Sequence, residues 1–205
     1  MSELDRRLAA ARPKGSFDAE RLGTALRERA AGEGLLDVAF ARMDSPLGRL
    51  LVAVTPRGLV RLAYEGEREE REEAVLAELA ERVSPRLLRA PERTDGVRRE
   101  LDDYFAGRLQ AFDTPIDWSL VRGFASGVLQ ATARVPFGEV VTYRDVATAA
   151  GSPRAYRAAG NALGSNPMPI VVPCHRVLHA GGGLGGYTGG LDRKRYLLAL
   201  EGRGA

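Results

Sequence analysis

Several absences bound what this chain can be. Among 205 residues there is one cysteine, so an internal disulfide and a thiolate zinc site are both excluded, and the free thiol is at ease only in a reducing compartment. No stretch approaches the run of apolar residues that a membrane span requires. The opening MSELDRR also lacks the basic-then-apolar order of an export leader. A soluble, cytoplasmic protein without a membrane partner is expected. Acidic residues are missing from one long interval: none lies between Asp145 and Asp192, whereas Arg154, Arg157 and Arg176 do. From Pro136 onward eight basic residues stand against four acidic ones, so the net charge of +3 divides into +4 there and −1 before it. The C-terminal third is where a polyanion would be welcome, although a mostly uncharged segment is also what a buried one looks like.

What is present is a globular composition. Hydrophobic residues at 44% and charged ones at 28% exclude wholesale disorder, and the length suffices for one large domain or two small ones with a true apolar core. Residues 1–34 read as two short charged, Ala-rich helices interrupted by Pro13 and Gly15. LDVAFARM, RLLVAV and LVRLAYEG are β-rich runs parted by the turn sequences DSPLG and TPRG, which predicts three antiparallel strands. REEREEAVLAELAER, residues 68–82, sets Val75, Leu76 and Leu79 on one face of an amphipathic helix, and VRRELDDYFAGR forms another. The proline-punctuated FDTPIDWSLV then reads as a linker.

Beyond it the pattern is helical. FASGVLQATARV is a helix ended at Pro136, and Thr142 with Asp145 has capping-box spacing ahead of YRDVATAA. Gly151 stops that helix, Ser152 caps the next and Pro153 suits its first position, so PRAYRAAGNALG is predicted as a helix with Arg154 and Arg157 on one face. Two short helices about a tight turn, the second basic, fit a helix-turn-helix. The expected fold is α+β: residues 1–34 a helical extension, 35–115 an N-terminal α/β domain with a small antiparallel sheet, and 116–205 a mainly helical C-terminal domain with a winged helix-turn-helix.

The lone cysteine sits in VVPCHRVLHAGGGLGGYTGG, residues 171–190. A solitary cysteine is more often a small buried apolar residue than a nucleophile. To be nucleophilic it needs a base or a positive field beside it, and His175 and Arg176 follow directly. His179 reads as an ordinary satisfied polar group, without a role.

VPCHRVL, residues 172–178, resembles the active-site signature of the O6-alkylguanine-DNA alkyltransferases. GEVVTYRDVA, SPRAYRAAGNALGSNPMPI and GGYTGGLDRKRYLLALEG lie in that family's order and spacing, so the resemblance runs through residues 136–202, and MDSPLGRLLVAVTPRGLVRLAYEG is similar to its N-terminal strands. The resemblance implies direct, single-use repair: Cys174 takes an alkyl group from O6 of a guanine flipped out of double-stranded DNA. His175 then acts through a water as the base, Glu201 orients the imidazole, Asn166 holds the SNP turn against the cysteine loop, and Tyr143 crowds the flipped phosphate and protonates the departing guanine. The thiol pKa is expected to be lowered toward neutrality by these neighbours. Arg157 matches the finger that fills the vacated stack, Arg154 a phosphate contact, and Ser152, Ala158 and Gly160 belong to the DNA-facing helix surface. The base pocket would take Val177, Tyr187, Thr188 and Gly189, with Leu163 setting tolerance for alkyl size. Gly164 stands where some relatives carry another basic residue. No metal and no cofactor are implied, and the protein is expected to act as a monomer, with cooperativity on DNA left open. A module that binds damage without accepting the alkyl group, a helix-turn-helix regulator and a cysteine hydrolase remain as competing readings.

Overall fold

The structure, a computed structural model, describes residues 36–65 and 72–203 together with Gly23 and Arg29. The two helices expected over residues 1–34 otherwise lie outside the described residues. Leu36–Ala205 forms a compact unit distinct from Met1–Leu35.

Strands β1 (Val38–Met43), β2 (Leu50–Thr55) and β3 (Gly58–Tyr64) make the expected antiparallel meander. The sheet has a fourth member that the sequence reading lacked: β4 (Leu87–Arg89) adds parallel to β1, giving the order β3-β2-β1-β4. A parallel neighbour requires a crossover, supplied by helix α1 (Glu72–Arg82). Side chains alternate between the two faces. Val38, Phe40, Leu51 and Ala53 pack with Val75 and Leu79 of α1, whereas Leu50, Val52, Leu62 and Tyr64 face a larger cluster that includes Leu101 and Tyr104 of α2 (Pro91–Phe105) and reaches into the C-terminal helices.

β3 is an edge strand, and what covers its free side sets the site in place. Leu59 donates to the Pro115 carbonyl and accepts from the Asp117 N–H, and Leu62 donates to the Pro167 carbonyl at 2.8 Å. Arg61 Nη1 donates to that same carbonyl at 3.0 Å. The segment read as a linker therefore runs along the sheet, and the turn after Asn166 is docked against it. Gly58 is required here: its φ is +128°, and a Cβ would stand 2.0 Å from the Pro115 oxygen.

The C-terminal half holds α3 (Gly123–Thr132), α4 (Tyr143–Ala149), α5 (Tyr156–Gly164) and α6 (Leu191–Leu200). Thr142 and Asp145 form the expected capping box, each side chain taking the other's backbone N–H. α5 begins later than predicted. Ser152 and Pro153 lie in the turn before it, where Ala155 N donates to the Ser152 carbonyl, and Ala155 rather than Ser152 is the N-cap. A two-residue parallel ladder joins β5 (Val141–Thr142) to β6 (Val177–Leu178), tying the start of α4 to the segment after the cysteine.

Candidate active site

Cys174 opens a single-turn 3-10 helix, Cys174–Arg176. The chain reaches it through a tight reversal: Val172 N donates to the Met168 carbonyl, and Ile170 is held at φ +75°, a costly conformation for a β-branched residue that only a well-determined surrounding sustains. Asn166 does much of that determining. Its Nδ2 donates to the Val172 carbonyl at 2.8 Å and to Cys174 Sγ at 3.2 Å, while its Oδ1 accepts from Met168 N at 3.0 Å.

Behind the thiol lies a buried polar cluster centred on Glu201, the residue that caps α6. His175 Nε2 meets Glu201 Oε1 at 3.0 Å. Arg176 donates to the carboxylate from Nε at 2.9 Å and from Nη2 at 2.8 Å, the Tyr104 hydroxyl donates at 2.6 Å, and Gly138 N–H at 3.2 Å. Burial alone would raise the carboxyl, but the hydrogen bonds from His175, Arg176 and Tyr104 hold it far below the usual carboxylate range. Burial pushes His175 below its ordinary value despite Glu201, so the imidazole is neutral. Its Nδ1 is buried with no protein partner and is therefore the atom free to accept a proton.

The thiol corrects an expectation. Burial pushes Cys174 up to about 11, opposed by the Asn166 hydrogen bond and by the charge of Lys194. The resting sulfur is a thiol, because desolvation of the anion outweighs its polar neighbours. Lys194 itself is fully buried in α6, and burial lowers it to about 8. Its ammonium donates to the carbonyls of Val177 and Gly186, at 2.7 and 3.5 Å, and to that of Leu184, pinning the base of the glycine-rich loop.

Cys174 lies in the wall of a cavity of 910 Å³. Of the sequence-assigned residues, Tyr143, Arg157, Gly160, Leu163, Tyr187 and Thr188 share that wall, and Asn166, His175 and Glu201 stand behind it. Arg154, Ser152 and Ala158 are outside the wall. Gly189 lines a neighbouring cleft of 620 Å³ instead, packed against the Tyr64 and Tyr187 rings. The Val177 carbonyl is engaged by Lys194 rather than bare. The loop needs glycine at 185, where φ is +67° and a Cβ would stand 2.4 Å from the Tyr143 hydroxyl. Burial raises the Tyr143 phenol, which therefore keeps its proton. No group of three His, Cys, Asp or Glu among the described residues is arranged for a metal.

Six residues of the site escape the sequence reading. Tyr104 follows Val97 and Leu101 on the buried stripe of α2, and a buried tyrosine hydroxyl requires a partner. Lys194 is one of only two lysines in the chain, which was its available signal. Arg176 offers a positive field in the sequence, but its fork onto Glu201 depends on a residue 25 positions away. His179 lines the cavity with its ring 5.1 Å from that of Tyr143, and Arg144 and Tyr156 line it too.

Comparison with known proteins covers most of the chain. Residues 38–118 match the family model "6-O-methylguanine DNA methyltransferase, ribonuclease-like domain" and residues 123–203 match "6-O-methylguanine DNA methyltransferase, DNA binding domain". A methylated-DNA–protein-cysteine methyltransferase of Mycolicibacterium paratuberculosis is 40% identical over 81% of this chain and 93% of its own length. One from Methanosarcina barkeri is 36% identical over 78% and 94%. The Mycobacterium tuberculosis OGT crystallised in complex with DNA is 37% identical, with a TM-score of 0.68 over 81% of this chain and 94% of that one.

Proposed function

This chain belongs to the 6-O-methylguanine DNA methyltransferase family, and on that premise we propose that it repairs DNA by moving the alkyl group of O6-alkylguanine irreversibly onto Cys174. In the reaction the sulfur attacks the alkyl carbon in line, the S–C bond forms as the C–O6 bond breaks, and guanine departs with the electron pair. The thiol proton passes to His175, through Nδ1 and a bridging water, while Glu201 steadies the resulting imidazolium. A proton from Tyr143 compensates the leaving guanine. This is the logic of a nucleophile beside a base that is itself oriented by a carboxylate. Because Cys174 rests as a thiol, proton removal belongs to the reaction and does not precede it.

The observation that carries this reading is a neutral, buried imidazole with one nitrogen on Glu201 and the other unengaged, directly following a cysteine in the wall of a nucleotide-sized cavity. Since stacked bases leave no room for in-line attack, the guanine is flipped at a cost of a few kcal/mol. Arg157 occupies the vacated position, Arg154 takes a phosphate, Ala158 and Gly160 let the helix backbone approach, and Ser152 meets the DNA from the turn before that helix. Tyr187, Thr188 and Leu163 bound the base and its alkyl group, with Val177 and Gly189 shaping the loop behind them. A thioether offers no leaving group for hydrolysis, so each molecule acts once, as a monomer in the cytoplasm, with the division at 115/116 separating a supporting N-terminal domain from the acceptor domain. The test is intact mass after incubation with duplex carrying O6-methylguanine: one methyl gained, on the peptide bearing Cys174, with no turnover beyond one equivalent. Binding without mass gain would leave a damage-binding module, and continued turnover a hydrolase.

A further inference from the structure

Tyr156 opens α5 and is 41% exposed, one of three large hydrophobic residues left in solvent among those described. The other two, Leu191 and Tyr196, are outside the Cys174 cavity, whereas Tyr156 is in its wall. Two guanidiniums flank the ring: Arg144 Cζ is 6.0 Å and Arg157 Cζ 5.9 Å from its centroid. They come from different helices of the α4–α5 pair, and both are exposed. Among the described residues no carboxylate lines this cavity, and Asp145, beside Arg144 in sequence, is engaged by Thr142 through both its backbone and its hydroxyl. An exposed aromatic face between two cations, one of them only partly offset by Asp145, fits a partner that presents flat π-surfaces along an anionic backbone.

We propose that Tyr156 is a stacking platform for the nucleobase adjoining the flipped guanine, with Arg144 holding a phosphate beside it. This rests on the repair reading and adds a second contact to the stack besides the one made by Arg157. The ring supports the base whose neighbour has left, so extrusion of the guanine exposes less unstacked surface. Its contribution falls on the step that opens the duplex, and a substrate that is already a free base has no use for it.

The test separates the two. In the unreactive Cys174→Ala background, 2-aminopurine placed next to O6-methylguanine in a duplex reports stacking through quenching of its fluorescence on binding. Quenching is expected with Tyr156 and with Tyr156→Phe, and its loss with Tyr156→Ala and Tyr156→Leu. In the protein with Cys174 intact, Tyr156→Ala is expected to slow transfer from duplex by about tenfold more than transfer from free O6-benzylguanine, with Tyr156→Phe restoring the duplex rate. Quenching that persists in Tyr156→Ala overturns the proposal, as does an equal slowing on duplex and free base, which would assign the ring to pocket shape alone. The repair reading fails separately, if the unsubstituted protein acquires no alkyl group from either substrate, and the quenching comparison stands apart from that result.

Discussion

Between the sheet and α1 the buried contacts are almost wholly hydrocarbon, with Val38, Phe40, Leu51, Val75 and Leu79 in the interior and Arg61 at its border. Below Cys174 the chain buries Asn166, His175, Arg176, Lys194 and Glu201. Apolar burial is non-directional and tolerates error in placement, whereas a buried charge is sustained only by partners at fixed distances. The first region lends stability; the second holds a thiol, an imidazole and a carboxylate in one arrangement. They meet at β3, whose inner side chains pack toward the helices and whose free side takes the turn beyond Asn166.

Substitutions can break or sharpen that contrast. The largest effect is expected from Cys174→Ala, which abolishes alkyl transfer, read by intact mass, while the urea midpoint changes little. Glu201→Gln keeps shape but leaves the buried Arg176 guanidinium with a neutral partner, so a loss of about 3–5 kcal/mol in urea unfolding is expected, together with slowed transfer in the folded fraction. Leu51→Ala should cost a similar order, about 2–5 kcal/mol, with the transfer rate per folded molecule unchanged; if it slows chemistry as Glu201→Gln does, the two regions are not separable. Tyr104→Phe removes one donor from a charged acceptor, for which about 1.5–3 kcal/mol and a severalfold slower transfer are expected.

The mildest prediction concerns pH. With His175 lowered and Cys174 raised, the rate with free O6-benzylguanine should be level from pH 6.5 to 8, before Lys194 loses its charge, whereas a rate carried by a thiolate of ordinary acidity would climb throughout that range toward 8.5. Stability follows the same shift. Cys174 moves from 9.0 unfolded to about 11 folded, so its contribution is complete below pH 9 and is lost as pH rises toward 11. Lys194, lowered from 10.5 to about 8, opposes this, since the folded lysine gives up its proton first and stability gains between those values. Comparison with Cys174→Ala isolates the cysteine: the two urea midpoints lie close together below pH 9, and that of the unsubstituted protein is expected to fall relative to the variant's across pH 9–11.

Local chemistry made part of this legible beforehand. The β-rich run RLLVAV, the capping pair Thr142 and Asp145, and the turn glycines Gly48 and Gly151, both at positive φ, depend on chemistry within a few residues and are legible in the sequence. What escaped acts at a distance. β4 is three residues long, and its identity as a strand depends on β1, 49 positions earlier at the Val38↔Leu87 pair. Tyr104 meets Glu201 across 97 residues. Pro153 at a favourable first position lost to the turn that Ser152 makes with Ala155. Proximity in sequence shows the charged neighbours of Cys174 but not the depth at which the sulfur lies, and that depth reverses the expected acidity.

The prolines at 115 and 167 lend β3 their carbonyls. Rows of unmet N–H and C=O groups invite recruitment of foreign chain, ending in domain exchange or fibrils. Here that flank of the sheet is already occupied, so the same contacts that dock the SNP turn also deny a second molecule a template. On the repair reading proposed above each molecule is used once and must be replaced, and an occupied edge removes one route by which newly made copies could pair with one another.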